Sequence, residues 1–251
     1  MVAQYMENEV RPSSLRCYTM LTHCNKRLTL NFKGIPYKTE FLELPDIQKF
    51  CIEKRIPPTR TWNDGSPCYT FPVIHDPSTG VYLADSLAIA RYLEKTYPGT
   101  PVIFPVGLDA LQAAYTSACA LELNSIWRIA VPEIAKLLEG RALEYYRFTR
   151  EKNLGKKLEE VAPVGEEKAE VWNRFKEEFN NIDSWLKQNS TSGPFVMGDQ
   201  IIWADFVLGG LLLLFKRMWG EDSEEWKEIK GWNGGRWEAL LRRLQPHSQI
   251  K

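Results

Sequence analysis

"CYTFPVIHDPSTGVYLADSLAIARYLE", residues 68–94, decides how the chain is read. Within it, "YTFPVI" and "GVYLAD" are short runs of strand-forming residues. Between them Asp76, Pro77, Ser78 and Gly80 supply the chemistry of a tight turn. "DSLAIARYLE" then has helical spacing, with Leu87, Ile89, Ala90 and Leu93 on one side and Asp85–Ser86 at its start. Pro72 interrupts the first run. A proline cannot donate to a strand ladder, so Pro72 begins a strand, lies on an edge, or serves as a backbone device. Taken as a cis residue, it turns the chain sharply and leaves the amide and carbonyl of Phe71 free to pair with an extended peptide. The helix start at Asp85–Ser86 carries unpaired amides and partial positive charge, which suit a carboxylate. Ser86 can donate to that carboxylate and Asp85 can accept from an ammonium group. Such a site would hold a small zwitterionic peptide. The plainer alternative is an edge strand followed by an ordinary helix cap.

Upstream, "LRCYTML" (15–21) alternates like a strand, "CNKRLTLNFKG" reads as a helix ended by Gly34, and "IPYKTEFLEL" reads as a second strand. The order is β-α-β, a looser region, then β-β-α. After "TPVIFPVG" nothing resembles a strand. Residues 108–139 form one long helical pattern with a bend expected at Pro132. Charged amphipathic helices follow over 141–160 and 166–188, separated by "VAPVG". "GPFVMGDQIIWADFVLGGLLLLFKRM" is a turn and a buried-type helix, and "GWNGGRWEALLRRL" starts a last helix after a glycine turn. The fold expected is α+β: an α/β domain of thioredoxin-like order over 1–98 and an all-helical bundle over 106–251.

The 251 residues carry 32 basic and 32 acidic side chains, so no net charge draws the chain to nucleic acid or acidic membranes. No apolar run reaches the roughly 18 residues that span a bilayer. Five cysteines without a CxxC pair, and no export signal at the N-terminus, point to reduced thiols in the cytosol. His23, His75 and His247 are scattered, so no metal is expected.

The element order, "TFPVI", "ADSLAIARYLE" and an all-helical second half together resemble glutathione transferases. "NFKGIPYKTEFLELPDI", "SPCYTFPVIHDPSTG" and "WNGGRW" are most similar to the fungal FuA class, a serine-type group related to bacterial β-etherases. "FVMGDQIIWADF" matches the family's buried capping motif. The resemblance implies glutathione as co-substrate. Phe71 would offer its backbone to the cysteinyl part, Asp85 and Ser86 would hold the γ-glutamyl end, and Arg60 would reach the glycyl carboxylate or remain a surface residue beside Trp62. A homodimer is implied as well.

The pattern breaks at the thiol. The family's hydroxyl or thiol donor falls 14 positions before Gly34, which is Met20 here, and a thioether has no proton to donate. Thr22 could supply the hydroxyl from a shifted loop. Cys24, near a helix start with Lys26 and Arg27, could be a low-pKa thiol. Backbone amides alone could suffice, or efficient catalysis could be lost. If "VAQYMENEV" were the first strand, Ser13 or Ser14 would approach the thiol instead. In the capping motif Ile202 replaces the usual Ser or Thr, which leaves Asp199 as the substitute cap for the helix that contains Asp205.

Tyr115, Cys119, Leu123 and Trp127, spaced by four, with Met20, are candidates for an aromatic second pocket, and equally for plain core. Two functions compete. One is an enzyme that conjugates glutathione to electrophilic aromatics, or reduces them or peroxides, in detoxification. The other is a ligandin that holds polyphenols or wood extractives with little turnover. Retention of Phe71–Pro72 and Asp85–Ser86 argues against a purely structural module.

Overall fold

The computed structural model describes residues 15–19, 25–189 and 193–249, with side chains from Arg27 onward within those ranges. The first half is built on β1 (Leu15–Thr19), α1 (Asn25–Phe32), β2 (Tyr37–Phe41), β5 (Val73–Asp76), β6 (Val81–Ala84) and α3 (Ser86–Thr96). The strands form one sheet in the order β2-β1-β5-β6, with β1 and β2 parallel and the other pairs antiparallel. Alternation in "LRCYT" thus marks a true central strand. Between β2 and β5 lie a 3-10 turn at Leu44–Asp46, α2 (Ile47–Glu53) and a small ribbon of β3 (Arg60–Thr61) and β4 (Pro67–Cys68). The sequence gives only a looser region there, because two-residue strands and a seven-residue helix are too short for periodicity to register.

The second half is all helical: α4 (Asp109–Glu122), α5 (Trp127–Ala135), α6 (Gly140–Leu154), α7 (Leu158–Val161), α8 (Gly165–Leu186), α9 (Trp203–Trp219) and α10 (Glu224–Leu244). One expectation here needs correction. The pattern over 108–139 is two helices, and the break falls at Leu123–Ile126, upstream of Pro132, which lies inside α5. Glu178 of α8 holds that break, accepting from the Ser125 hydroxyl at 2.8 Å and its amide at 3.3 Å. As the sequence indicates, a glycine turn precedes the last helix: the backbone leaves helical geometry over Trp232, Asn233, Gly234 and Gly235 and divides α10 into two helical segments. Ser223 caps the first of them, accepting from the Trp226 amide at 3.1 Å. Asn233, Gly234 and Gly235 all have positive φ there, which glycine adopts without a Cβ penalty.

Helices cover both faces of the sheet. On one face Leu30, Ile35, Ile74, Ile89 and Leu93 form a closed apolar layer. On the other, Leu44, Ile47, Phe71 and Val73 pack with Ala135, Tyr146 and Leu158 of the helical half. The largest core joins Leu28 and Ala90 to Phe175, Phe179, Phe206, Phe215 and Trp237. A polar staple fixes the connection between the halves. Buried Lys33 bonds Glu94 at 2.6 Å and the Pro101 carbonyl at 3.0 Å, and Glu94 accepts from the Ile103 and Phe104 amides at 3.1 Å each. Gln112 continues it, donating to the Ile103 carbonyl and accepting from the Ala204 amide, both at 3.0 Å.

Asp205, fully buried, accepts from the amides of Ile202 and Val196 at 2.8 Å each. It therefore caps its own helix by reaching back from the third position. Asp199 is exposed and faces Arg243 at 3.7 Å, so it does not act as the substitute cap. No side chain at Ile202 is needed, because its carbonyl takes the Asp205 amide at 3.1 Å. Burial raises the Asp205 carboxyl to about 7 against the two amide bonds, which lower it.

Candidate functional site

The site forms where three strands end together. Val73 pairs with Ala84, so Phe71–Pro72, just before β5, and Asp85–Ser86, just after β6, lie at one end of the hairpin. Tyr18 pairs with Val73 on the other side, and β1 runs out at the same end. The turn Pro77–Gly80 closes the hairpin elsewhere, held by Asp76, which accepts from Ser78, Tyr92 and Tyr97 at 2.6 Å each.

The Phe71–Pro72 peptide is cis. The Phe71 ring is buried against Phe50, edge to face at 6.1 Å. No described residue bonds its amide or carbonyl, although buried backbone groups are nearly always paired. These two groups are available to an extended peptide.

Asp85 has φ 76° and ψ 125°, a strained conformation for a residue with a Cβ. Its Oδ1 accepts from the amides of Leu87 at 3.0 Å and Ala88 at 2.9 Å, so it is the cap of α3. Both bonds fall on one oxygen, which leaves Oδ2 free to accept from an ammonium group. The plainer reading and the functional one are thus compatible in the same side chain. Among the described residues, nothing bonds the Ser86 amide or hydroxyl. Two donors at a helix start fit a carboxylate. The donor set suits the γ-glutamyl end of glutathione, an α-ammonium beside an α-carboxylate.

Arg60, on β3, is exposed; its Nε donates to the Cys68 sulfur at 3.3 Å and its guanidinium lies 5.5 Å from the Trp62 ring centre. Ser14, Met20, Thr22 and Cys24 lie outside the described residues. The proposed aromatic stripe is not one surface. Cys119 and Leu123 are buried in the helical core, and Tyr115 packs against that core, edge to face with Trp185 at 6.2 Å. Burial pushes the Cys119 thiol up to about 11, so it stays protonated at neutral pH. Trp127 is the most open of the four, at 36% exposure, and the break after α4 puts it on a separate helix. A spacing of four within one continuous helix defined that stripe, and the break removes its premise.

Sequence reasoning missed a cleft of about 120 Å³ between the β3–β4 ribbon and α6. Phe71, Tyr69, Trp62, Tyr145, Tyr146 and Arg150 line it, together with Arg60. The signal available was Arg60 with Trp62; nothing in the sequence pairs them with α6.

This geometry, peptide-pairing backbone at Phe71 beside a charge-reading helix start, agrees with comparison to known proteins. Family models described as the N-terminal and C-terminal domains of glutathione S-transferase match residues 26–96 and 110–247. A glutathione S-transferase of Ceriporiopsis subvermispora, crystallised in complex with glutathione, is 39% identical with a TM-score of 0.89, over 95% of this chain and 99% of that one. Glutathione transferase GSTFuA3 from Phanerochaete chrysosporium is 36% identical with a TM-score of 0.87, over 95% and 98%. The glutathione S-transferase-like protein ustS of Aspergillus flavus is 32% identical over 229 residues, 85% of this chain and 79% of that protein. The chain belongs to the glutathione S-transferase family and resembles its fungal FuA class. Among the described residues, no helix is long and apolar enough to cross a membrane.

Proposed function

We propose that this protein binds glutathione at the Phe71 and Asp85–Ser86 end of the sheet. There it adds the glutathione sulfur to electrophilic aromatic compounds, or uses it to reduce them or peroxides, in detoxification. The observation that carries this reading is the meeting of unpaired groups at one place: the Phe71 amide and carbonyl, the Asp85 Oδ2, and the Ser86 amide and hydroxyl. Phe71 aligns the cysteinyl unit as an added strand. Asp85 takes the α-ammonium and Ser86 the α-carboxylate, helped by the α3 dipole. Arg60 is assigned to the glycyl carboxylate. In conjugation the thiolate forms a bond to an electrophilic carbon while the leaving group departs with the bonding pair. Thr22, Ser14 and Cys24 are the candidates to steady that thiolate. Residues 1–98 would be the glutathione-binding domain and 106–251 the domain that adds the second pocket. The assembly would be a cytosolic homodimer that uses no metal, nucleic acid or membrane.

Met20 favours a second reading. Where the family donates a hydrogen bond to sulfur, a thioether cannot. The protein would then act as a ligandin for polyphenols or wood extractives with weak turnover. Calorimetric titration with reduced glutathione tests both readings at once. Binding between micromolar and millimolar is expected, and its absence sinks the tripeptide site. Turnover of an aryl halide then separates the two: large activity gained by Met20→Ser over an almost inactive wild type selects the ligandin.

A further inference from the structure

We propose that Asn63 and Asn153 latch the β3–β4 ribbon to α6 and thereby position Arg60, so that two residues away from the ligand set how firmly the glycyl end of glutathione is held. This rests on the glutathione reading above and on its assignment of Arg60.

The ribbon is weak by itself. β3 and β4 have two residues each, paired as Arg60 with Cys68 and Thr61 with Pro67. An isolated two-stranded hairpin is marginally stable at best in water. Residues 59–67 are all exposed or half-buried, so little apolar burial opposes their opening. The base of the ribbon is anchored in the α/β half. Cys68 and Phe71 are buried there, the Thr59 amide donates to the Cys68 carbonyl at 3.1 Å, and the Thr59 and Thr70 hydroxyls meet at 2.7 Å. The tip is a turn in which the Trp62 amide donates to the Ser66 carbonyl at 2.9 Å. Its outside support comes from the helical half.

That support is reciprocal. The Asn63 amide donates to Asn153 Oδ1 at 3.0 Å, and Asn63 Nδ2 donates to the Asn153 carbonyl at 2.8 Å. Asn153 lies in the last turn of α6, whose final carbonyls have no partner within the helix. Each asparagine side chain thus satisfies a backbone group of the other residue. Two further contacts join the same elements: Lys152 pairs with Asp64 at 2.8 Å, and the Arg150 guanidinium lies 5.2 Å from the Trp62 ring centre. Both ends of the ion pair are exposed, so it adds little. The asparagine bonds are the directional part of the latch.

Arg60 is what the latch holds. It is exposed, its Nε donates to Cys68 Sγ at 3.3 Å, and its guanidinium lies 5.5 Å from the ring centre of Trp62, the neighbour of Asn63. Among the described residues its terminal nitrogens meet no acceptor. With the tip fixed, Arg60 presents a preformed fork, which suits a carboxylate. With the tip free, glutathione must order the ribbon itself and binds more weakly for that reason. Phe71 and Asp85–Ser86 do not depend on the latch. Phe71 is anchored by its buried ring, and Asp85 by the Leu87 and Ala88 amides of α3.

The test titrates glutathione and γ-glutamylcysteine, which lacks the glycyl unit, into the full chain by calorimetry. The wild type is expected to bind glutathione about tenfold tighter, the margin of one charge-assisted pair. In the double variant Asn63→Ala/Asn153→Ala that ratio should fall to within about threefold. The affinity for γ-glutamylcysteine should stay within about twofold, which shows that the rest of the site is intact. Asn153→Asp keeps an acceptor for the Asn63 amide and should keep the wild-type ratio. Hydrogen exchange over residues 59–67, measured without ligand, should be faster in the double variant than in the wild type. A ratio that survives in the double variant overturns the latch, and so does equal weakening of both ligands, unchanged exchange in the ribbon, or a ratio lost in Asn153→Asp. A wild-type ratio near one removes Arg60 from the glycyl carboxylate and overturns the proposal with it. If the wild type binds neither ligand, the glutathione reading itself fails; if it binds both and only the variants disagree, the latch alone fails.

Discussion

Replacing Asp85 separates what it does for the helix from what it does for the ligand. Its Oδ1 caps α3 through the Leu87 and Ala88 amides, while Oδ2 is left for the ammonium. Asp85→Asn keeps an oxygen acceptor for the cap, and asparagine tolerates the positive φ of 76°. Stability should therefore change by less than about 0.5 kcal/mol. The charge is lost, however, and a hydrogen bond to a charged group is worth about 1.5–3 kcal/mol. Glutathione affinity should fall roughly 10- to 100-fold. Asp85→Ala loses the cap as well, at about 1 kcal/mol, and places a Cβ-bearing residue without local hydrogen bonds at a strained φ. At about 2–4 °C per kcal/mol for a chain of this size, its melting midpoint should drop a few degrees. Affinity should fall as in Asp85→Asn. Thermal unfolding and calorimetric titration of the two variants give all four numbers. If Asp85→Asn binds glutathione like the wild type, the carboxylate is only a cap and the charge-reading half of the site is wrong.

Four further outcomes follow from the structure. Ser86→Ala removes one of two free donors at the α3 start and should weaken glutathione about tenfold with little change in midpoint, read in the same titration. Glu94→Gln leaves Lys33, whose side chain is 1% exposed, without its counter-charge. Because Glu94 is itself 20% exposed, the cost should be about 2–3 kcal/mol; a double-mutant cycle with Lys33→Met should recover much of it by urea unfolding. Asp205→Ala orphans the Ile202 and Val196 amides and should cost about 2–4 kcal/mol. Asp205 also sets a pH dependence. Burial holds its native carboxyl at about 7, above the unfolded value, so the native state keeps a proton that the unfolded chain has released. Its contribution is complete below about pH 4 and is lost as pH rises through 7. The stability gap between wild type and Asp205→Asn should shrink between pH 4.5 and 7.5; a gap that stays constant would remove Asp205 as the titrating group.

Much of this protein was readable from local chemistry. The alternation of "LRCYT", the turn residues Asp76–Gly80 and the apolar spacing of "SLAIARYLE" act over a few residues each, so the sheet strands and α3 were legible. Phe71, Asp85 and Ser86 stood out as candidates because a proline inside a strand is unusual; the Asp-Ser start reads by itself as an ordinary cap, and the ligand assigned to it came from the family resemblance. The register Val73 to Ala84, which joins them, follows from a hairpin whose turn the sequence names. Tertiary packing decided the rest. The break after α4 exists because Glu178, some fifty residues away, satisfies Ser125, and no window of sequence contains that bond. Asp205 displaced Asp199 as the cap because only the fold buries it beside two unpaired amides. The cleft needs Trp62 from a two-residue ribbon and Arg150 from a helix, brought together by Asn63 and Asn153. Local propensity fixes elements one at a time, while a site whose walls lie ninety residues apart exists only after the elements have packed.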